Sequence, residues 1–124
     1  MDAGRWLRTG KAAFTANDQD AVAQSYWPDA ILLGTVSPIM SVGTDAIRKY
    51  FANLPGSGLK NELEEKHSVV VDDNAAMVAG FYMFTRLEAG KPVPIPARFT
   101  MLVTRRDGTW NIAHHHSSPR ALPK

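Results

Sequence analysis

The sequence of 124 residues predicts an α+β fold, and three observations carry that reading. Apolar residues recur at helical spacing through the first half and alternate with polar ones through the second. The two regimes meet at Pro55-Gly56-Ser57-Gly58, a run that neither helix nor strand tolerates. A chain that runs helices first and hairpin strands afterwards sets its helices on one face of an antiparallel sheet. The expectation is a single domain over residues 1–124, large enough to build a core without staples.

Trp6, Leu7, Gly10, Ala13 and Phe14 form the first helical stripe, and Asn17-Asp18 interrupts it and offers an N-cap. Ala21, Val22, Ser25 and Tyr26 make a second stripe, which Pro28 ends. Residues 30–34 read as a short buried strand and Val36-Ser37-Pro38 as a turn. Thr44 caps a third helix whose buried face is Ile47, Tyr50, Phe51 and Leu54. Beyond the breaker, Leu59, Asn61, Leu63, Glu65, His67, Val69 and Val71 alternate with their neighbours, the signature of a long half-buried strand. Asp72-Asp73-Asn74 turns it into a strand over 75–87, and Glu88-Ala89-Gly90-Lys91 closes the next hairpin. Strands over 95–105 and 109–117 complete the sheet, joined by the tight-turn dipeptide Asp107-Gly108.

Composition narrows the function classes. With no cysteine, disulfides and thiolate metal sites are excluded. The net charge of +2 is small and its Lys and Arg are scattered, so no nucleic-acid partner is expected. No apolar run approaches a membrane span and no signal peptide is visible, so the expectation is a cytoplasmic protein without a membrane partner.

The last strand holds the candidate chemistry. By strict alternation Trp110, Ile112, His114 and His116 share one face, which suits a cavity wall that is apolar at its base and polar at its mouth. Imidazoles there can act as hydrogen-bond donors or carry protons at neutral pH, or can satisfy buried polar groups. A metal would need a third ligand from His67 or Glu65, and neither metal nor cofactor is expected. Arg98 opens an otherwise apolar strand after Pro92-Val93-Pro94-Ile95-Pro96 and should meet Glu65 or an anionic ligand, or else extend into solvent. Tyr26, Tyr50 and Tyr82 read as core residues with a polar tip, Tyr82 joining the pocket set of Arg98, His114, His116 and His67. Phe99, Met101, Val103 and Ala113 on alternate positions suggest an apolar outer face that dimerises.

Segments 29–38, Asp45-Ala46-Ile47-Arg48-Lys49-Tyr50-Phe51, Ala97-Arg98-Phe99-Thr100 and Arg106-Asp107-Gly108-Thr109-Trp110 with its His-x-His ending carry a resemblance. In this order they resemble the nuclear transport factor 2-like superfamily, and within it the association domain of calcium/calmodulin-dependent protein kinase II and the stand-alone SgcJ/EcaC and SnoaL-like proteins. The resemblance implies a cone-shaped, cystatin-like fold in which a curved antiparallel sheet wraps three N-terminal helices. It also implies self-association as a homodimer or larger ring. A kinase domain does not fit in this length. The family's pocket carries a basic residue after His-x-His and an arginine that here fall at Ser117 and Met101, so the pocket should be less basic. The ketosteroid isomerases of the superfamily carry an Asp base and an oxyanion-hole Tyr at positions that fall here at Gly34 and Gly10, so isomerisation is not expected. The expected function is a homo-oligomeric domain that binds a small anionic or carbonyl-bearing molecule in a His/Arg-lined pocket. The alternatives are a SnoaL-like cyclase, hydratase or isomerase-type enzyme that uses a pocket His, and a pure oligomerisation module.

Overall fold

The computed structural model describes residues 18–53 and 57–121. The expected helix through Trp6 and Phe14 lies outside them, as do Gly10 and Leu54. Helix α1 (Gln19–Gln24) begins at Asp18, whose carboxylate accepts from the Ala21 amide at 3.0 Å, the N-cap the sequence suggested. Strand β1 (Tyr26–Leu33) follows at once. The helical stripe stops short of Tyr26 because the Ser25 amide and hydroxyl both turn back to the Val22 carbonyl. Pro28 therefore falls inside β1, where the ladder is irregular between Tyr26 and Ile31 and a missing N–H is tolerated. The short strand β2 (Met40–Val42), which had no sequence signal, pairs back onto Ile31, Leu32 and Leu33. Helix α2 (Thr44–Tyr50) starts after Gly43, so Thr44 is its first residue rather than its cap.

Four long strands follow: β3 (Lys60–Asp72), β4 (Ala75–Glu88), β5 (Lys91–Arg106) and β6 (Thr109–Pro119). Ala89 and Gly90 in one hairpin, and Asp107 and Gly108 in the other, both take positive φ, as a two-residue turn between twisted strands requires. The six strands form one sheet in the order β2-β1-β6-β5-β4-β3. An all-antiparallel sheet was expected, but β1 runs parallel to β6. The connection between them spans β3, β4 and β5, a pairing that local pattern cannot reveal. Two helices rather than three are present among the described residues.

The inner face of the sheet holds Ala76, Val78, Tyr82, Ala97, Phe99, Met101, Val103 and Ile112, and Val22 and Ile47 bring the helices onto it. Burying such a side chain contributes roughly 1.5–3 kcal/mol. Phe99, Met101 and Val103, expected on an outer dimer face, are instead at most 7% exposed and point inward. The apolar surface left in solvent is elsewhere. Val69, Val70 and Val71 lie on edge strand β3, with Met77 beside Val69, and Val36, Ile39, Met40 and Val42 lie near edge strand β2. No helix among the described residues is long and apolar enough to cross a membrane.

Two bulges decide which side chains face inward. In β6 the register passes from Leu102↔His114 to Val103↔Ile112, leaving Ala113 as an extra residue. In β3 it passes from Leu63↔Tyr82 to Lys66↔Gly80, so Glu64 and Glu65 share the space opposite Phe81. Each extra residue reverses the in/out alternation beyond it. Gly80 makes the second bulge feasible, since a Cβ there would lie 2.1 Å from the Glu65 carbonyl oxygen.

Candidate functional site

Because of the Ala113 bulge, the inward positions of β6 are Ile112, His115 and Ser117, opposite Val103, Met101 and Phe99. His114 and His116, expected on the cavity side, stand on the other face with Leu102 and Thr100 opposite them. Arg98 shares that outer face: it is exposed, pairs in register with Ser118 and donates from Nε to its hydroxyl at 3.2 Å. The β3 bulge likewise takes His67 off the cavity side, where it is 77% exposed and bonded to Glu65 at 2.8 Å. Arg98, His114 and His116 thus share one face of the β5–β6 pair, the outside of the sheet, with Arg98 opposite Ser118 rather than either histidine. Of the five residues expected to line the pocket, the structure places Tyr82 there. His115, Tyr26 and Ser117 line it as well, and simple alternation had turned His115 and Ser117 away.

The cavity lies between the inner face of the sheet and α2, with a volume of about 350 Å³. Leu32, Phe51, Leu59, Leu63, Phe84, Ile95, Phe99, Met101 and Ile112 make most of its wall. The ring of Tyr82 stacks on Phe99 with centroids 4.6 Å apart, and Tyr50 meets Phe51 edge-on at 4.9 Å. No Lys, Arg, Asp or Glu lines it among the described residues; Met101 and Ser117, where the resemblance sets basic residues, are both in the wall.

One chain of hydrogen bonds crosses this apolar wall. The Tyr26 hydroxyl lies 2.8 Å from Nδ1 of His115, and the Tyr82 hydroxyl lies 3.2 Å from its Nε2. Tyr82 donates to the Ser117 hydroxyl at 2.5 Å, and Ser117 lies 2.6 Å from the Thr35 hydroxyl. Burial pushes the His115 pKa down to about 3, and the neighbouring His114 and His116 add to the shift, so the imidazole is neutral at pH 7. A neutral imidazole has one donor and one acceptor nitrogen. Since Tyr82 spends its proton on Ser117, it accepts from Nε2–H, and Nδ1 accepts from Tyr26. Burial raises the pKa of Tyr26, with the Tyr82 and Tyr50 phenols adding to the rise, and burial likewise raises that of Tyr82. Burial raises the Tyr50 pKa too, partly offset by hydrogen bonding from Thr35. All three phenols therefore stay protonated.

At the end of β1, a Cβ on Gly34 would lie 2.3 Å from the Tyr50 ring. The position that would carry an isomerase's carboxylate is thus filled by a phenol reaching in from α2. What the site offers is a hydrophobic enclosure with neutral hydroxyl groups at one end. It offers no fixed charge and no carboxylate base among the described residues.

Residues 4–121 match the family model of the calcium/calmodulin dependent protein kinase II association domain. The chain is similar to a protein from Xanthomonas campestris named for that association domain, at 33% identity, with 94% of this chain and 84% of that one covered and a TM-score of 0.88. It shares its fold with an uncharacterised cystatin-like protein from Caulobacter vibrioides (20% identity, 95% and 87% covered, TM-score 0.80). The same holds for a ketosteroid isomerase-like protein from Erwinia carotovora atroseptica (21% identity, 96% and 94% covered, TM-score 0.79). No curated protein matches the chain. With nearly the whole chain matched and the cystatin-like, nuclear transport factor 2-like architecture in place, the protein belongs to the calcium/calmodulin dependent protein kinase II association domain family.

Proposed function

We propose that this chain is a self-associating module that holds one small carbonyl-bearing molecule in the cavity between the sheet and α2. The carrying observation is the cavity itself, about 350 Å³ of apolar wall with the His115 hydroxyl chain at one end. A pocket of that size and polarity suits a molecule of one or two rings with a single polar group. The anionic ligand that Arg98 would have recognised loses its support, because Arg98, His114, His116 and His67 face away from the cavity. Binding is favoured over a cyclase or hydratase reaction for the same reason: His114 and His116 cannot reach a ligand in the cavity. His115 is tied at both nitrogens and stays neutral at pH 7, so it makes a poor proton carrier.

Self-association is supported by the family's description and by the exposed apolar residues on both sheet edges. A purely oligomerising module would not need an internal cavity ending in an ordered polar chain. Native mass spectrometry of the protein as purified tests both parts. Multimers carrying a constant small added mass, lost on denaturation, are expected. Monomers, or multimers that never take up a small molecule from a carbonyl library, would contradict the reading.

A further inference from the structure

The exposed apolar residues at the two sheet edges are the ends of one row. Val42 pairs with Ile31, Ile31 with His114, His114 with Leu102, Leu102 with Met77, and Met77 with Val69, so a single line of side chains crosses all six strands. Residues in register across a sheet point to the same side, and His114 fixes that side as the outer one. Val42, Met77 and Val69 are 57%, 41% and 55% exposed, and Ile31 and Leu102 are half-buried. The adjacent row continues the face through Met40, Leu33, His116 and Thr100. Among the described residues neither row contains a Lys, Arg, Asp or Glu. Val22 and Ile47 bring both described helices onto the inner face, so the outer one has no second layer among the described residues. A sheet with an apolar face is stable when something covers it.

We infer that this outer face is the surface through which the chain self-associates, its occupant being a second copy laid face to face upon it. This rests on the self-association half of the proposed function and moves the contact from the sheet edges to the face between them. The size fits: six strands about 4.8 Å apart, with four residue rows at the centre, give roughly 600 Å² per copy and about 1,200 Å² in total, above the ~1,000 Å² that a stable contact needs. The pattern is also self-complementary. A two-fold along the strands, between β5 and β6, lays the row on its own copy in reverse order, with Val69 over Val42, Met77 over Ile31 and Leu102 over His114. Apolar then meets apolar along the row, as in two aligned sheets packed face to face. Arg98, two rows from that line, stays at the rim, where water still reaches it. The family's description as an association domain agrees with this occupant.

The test uses the full chain, which has no cysteine of its own. Light scattering at micromolar concentration should show a multimer. Met77→Glu puts a charge into the row at a position already part-exposed in the single chain, so far-UV dichroism should be unchanged while association weakens at least about tenfold. Val70→Glu, on the inner side of the same edge strand, should change association by less than about twofold. Thr100→Cys, at the centre of the face, should be joined to its copy by a short bis-maleimide, and Val70→Cys should not. A monomeric wild type would overturn this inference and the self-association reading together. A multimer that Val70→Glu dissolves and Met77→Glu leaves intact would put the contact at the edge, overturning the face and leaving self-association standing. Cross-linking through Val70→Cys and not through Thr100→Cys would do the same, whether or not the charged variants fold. None of these readouts involves a ligand, so they stand apart from the ligand reading.

Discussion

Lowering the pH from 7.5 to 5.0 should destabilise the fold chiefly through His115. In the unfolded chain its imidazole has an ordinary pKa of about 6.5. In the fold, burial between the two phenols holds it down to about 3. Between those values the unfolded chain binds a proton that the native one refuses, so stability is full above about pH 6.5 and falls as the pH drops. At pH 5.0 the loss from this one group is about 2 kcal/mol, and it continues to grow until the folded pKa is reached. Asp29 shifts in the same direction, since its hydrogen bond to Arg106 lowers its pKa, but its contribution is lost only as the pH falls into the ordinary carboxylate range, below this window. The phenols do not titrate in this window. Urea melts at pH 7.5, 6.0 and 5.0 with a constant m-value would read the loss directly. In the variant His115→Gln, an amide can accept from Tyr26 and donate to Tyr82 without titrating, and the slope over this window should largely vanish. A wild-type stability flat to within about 0.5 kcal/mol would refute the reasoning, as would an unchanged slope in the variant.

Other expectations follow from the same contacts. Gly80→Ala drives a Cβ into the Glu65 carbonyl, so the β3 bulge must move, at a cost of about 1–3 kcal/mol in a chemical melt. Gly34→Ala should displace the Tyr50 ring, and a double-mutant cycle with Tyr50→Ala should show coupling above about 0.5 kcal/mol, whereas additive effects would place Tyr50 elsewhere. Arg98→Met should leave the affinity for methyl naphthyl ketone within about twofold, because the guanidinium bonds Ser118 on the outer face. A tenfold loss would return Arg98 to the site.

Turn chemistry made most of the sheet legible in the sequence. Asp107-Gly108 and Glu88-Ala89-Gly90-Lys91 joined strands as expected, because few residue pairs accept two successive positive φ values. The helix α1 cap at Asp18 was legible for the same local reason. What alternation could not carry was parity across a bulge. Ala113 bears no mark of being the extra residue, so His114 and His116 were set inward and His115 outward, the reverse of what the fold does. The β3 bulge did leave a signal. A lone glycine inside a strand pattern marks close backbone approach, and Gly80 sits across from the shifted register. The parallel β1–β6 pairing and edge strand β2 depend on contacts distant in sequence, to which periodicity is blind. The tyrosines fared better: a buried phenol needs a partner for its hydroxyl, and that need assembles Tyr26 and Tyr82 around His115.

The most direct test of the account is where a bound ketone is felt. Methyl naphthyl ketone should be titrated into protein labelled at methionine and threonine methyl groups and histidine rings, and followed by NMR. Shifts should concentrate at Met101, Thr35 and His115, whose side chains line the cavity, with His114 and His116 unmoved. Shifts at His114, His116 and Thr100, with Met101 and His115 silent, would put the ligand on the outer face and contradict the central claim.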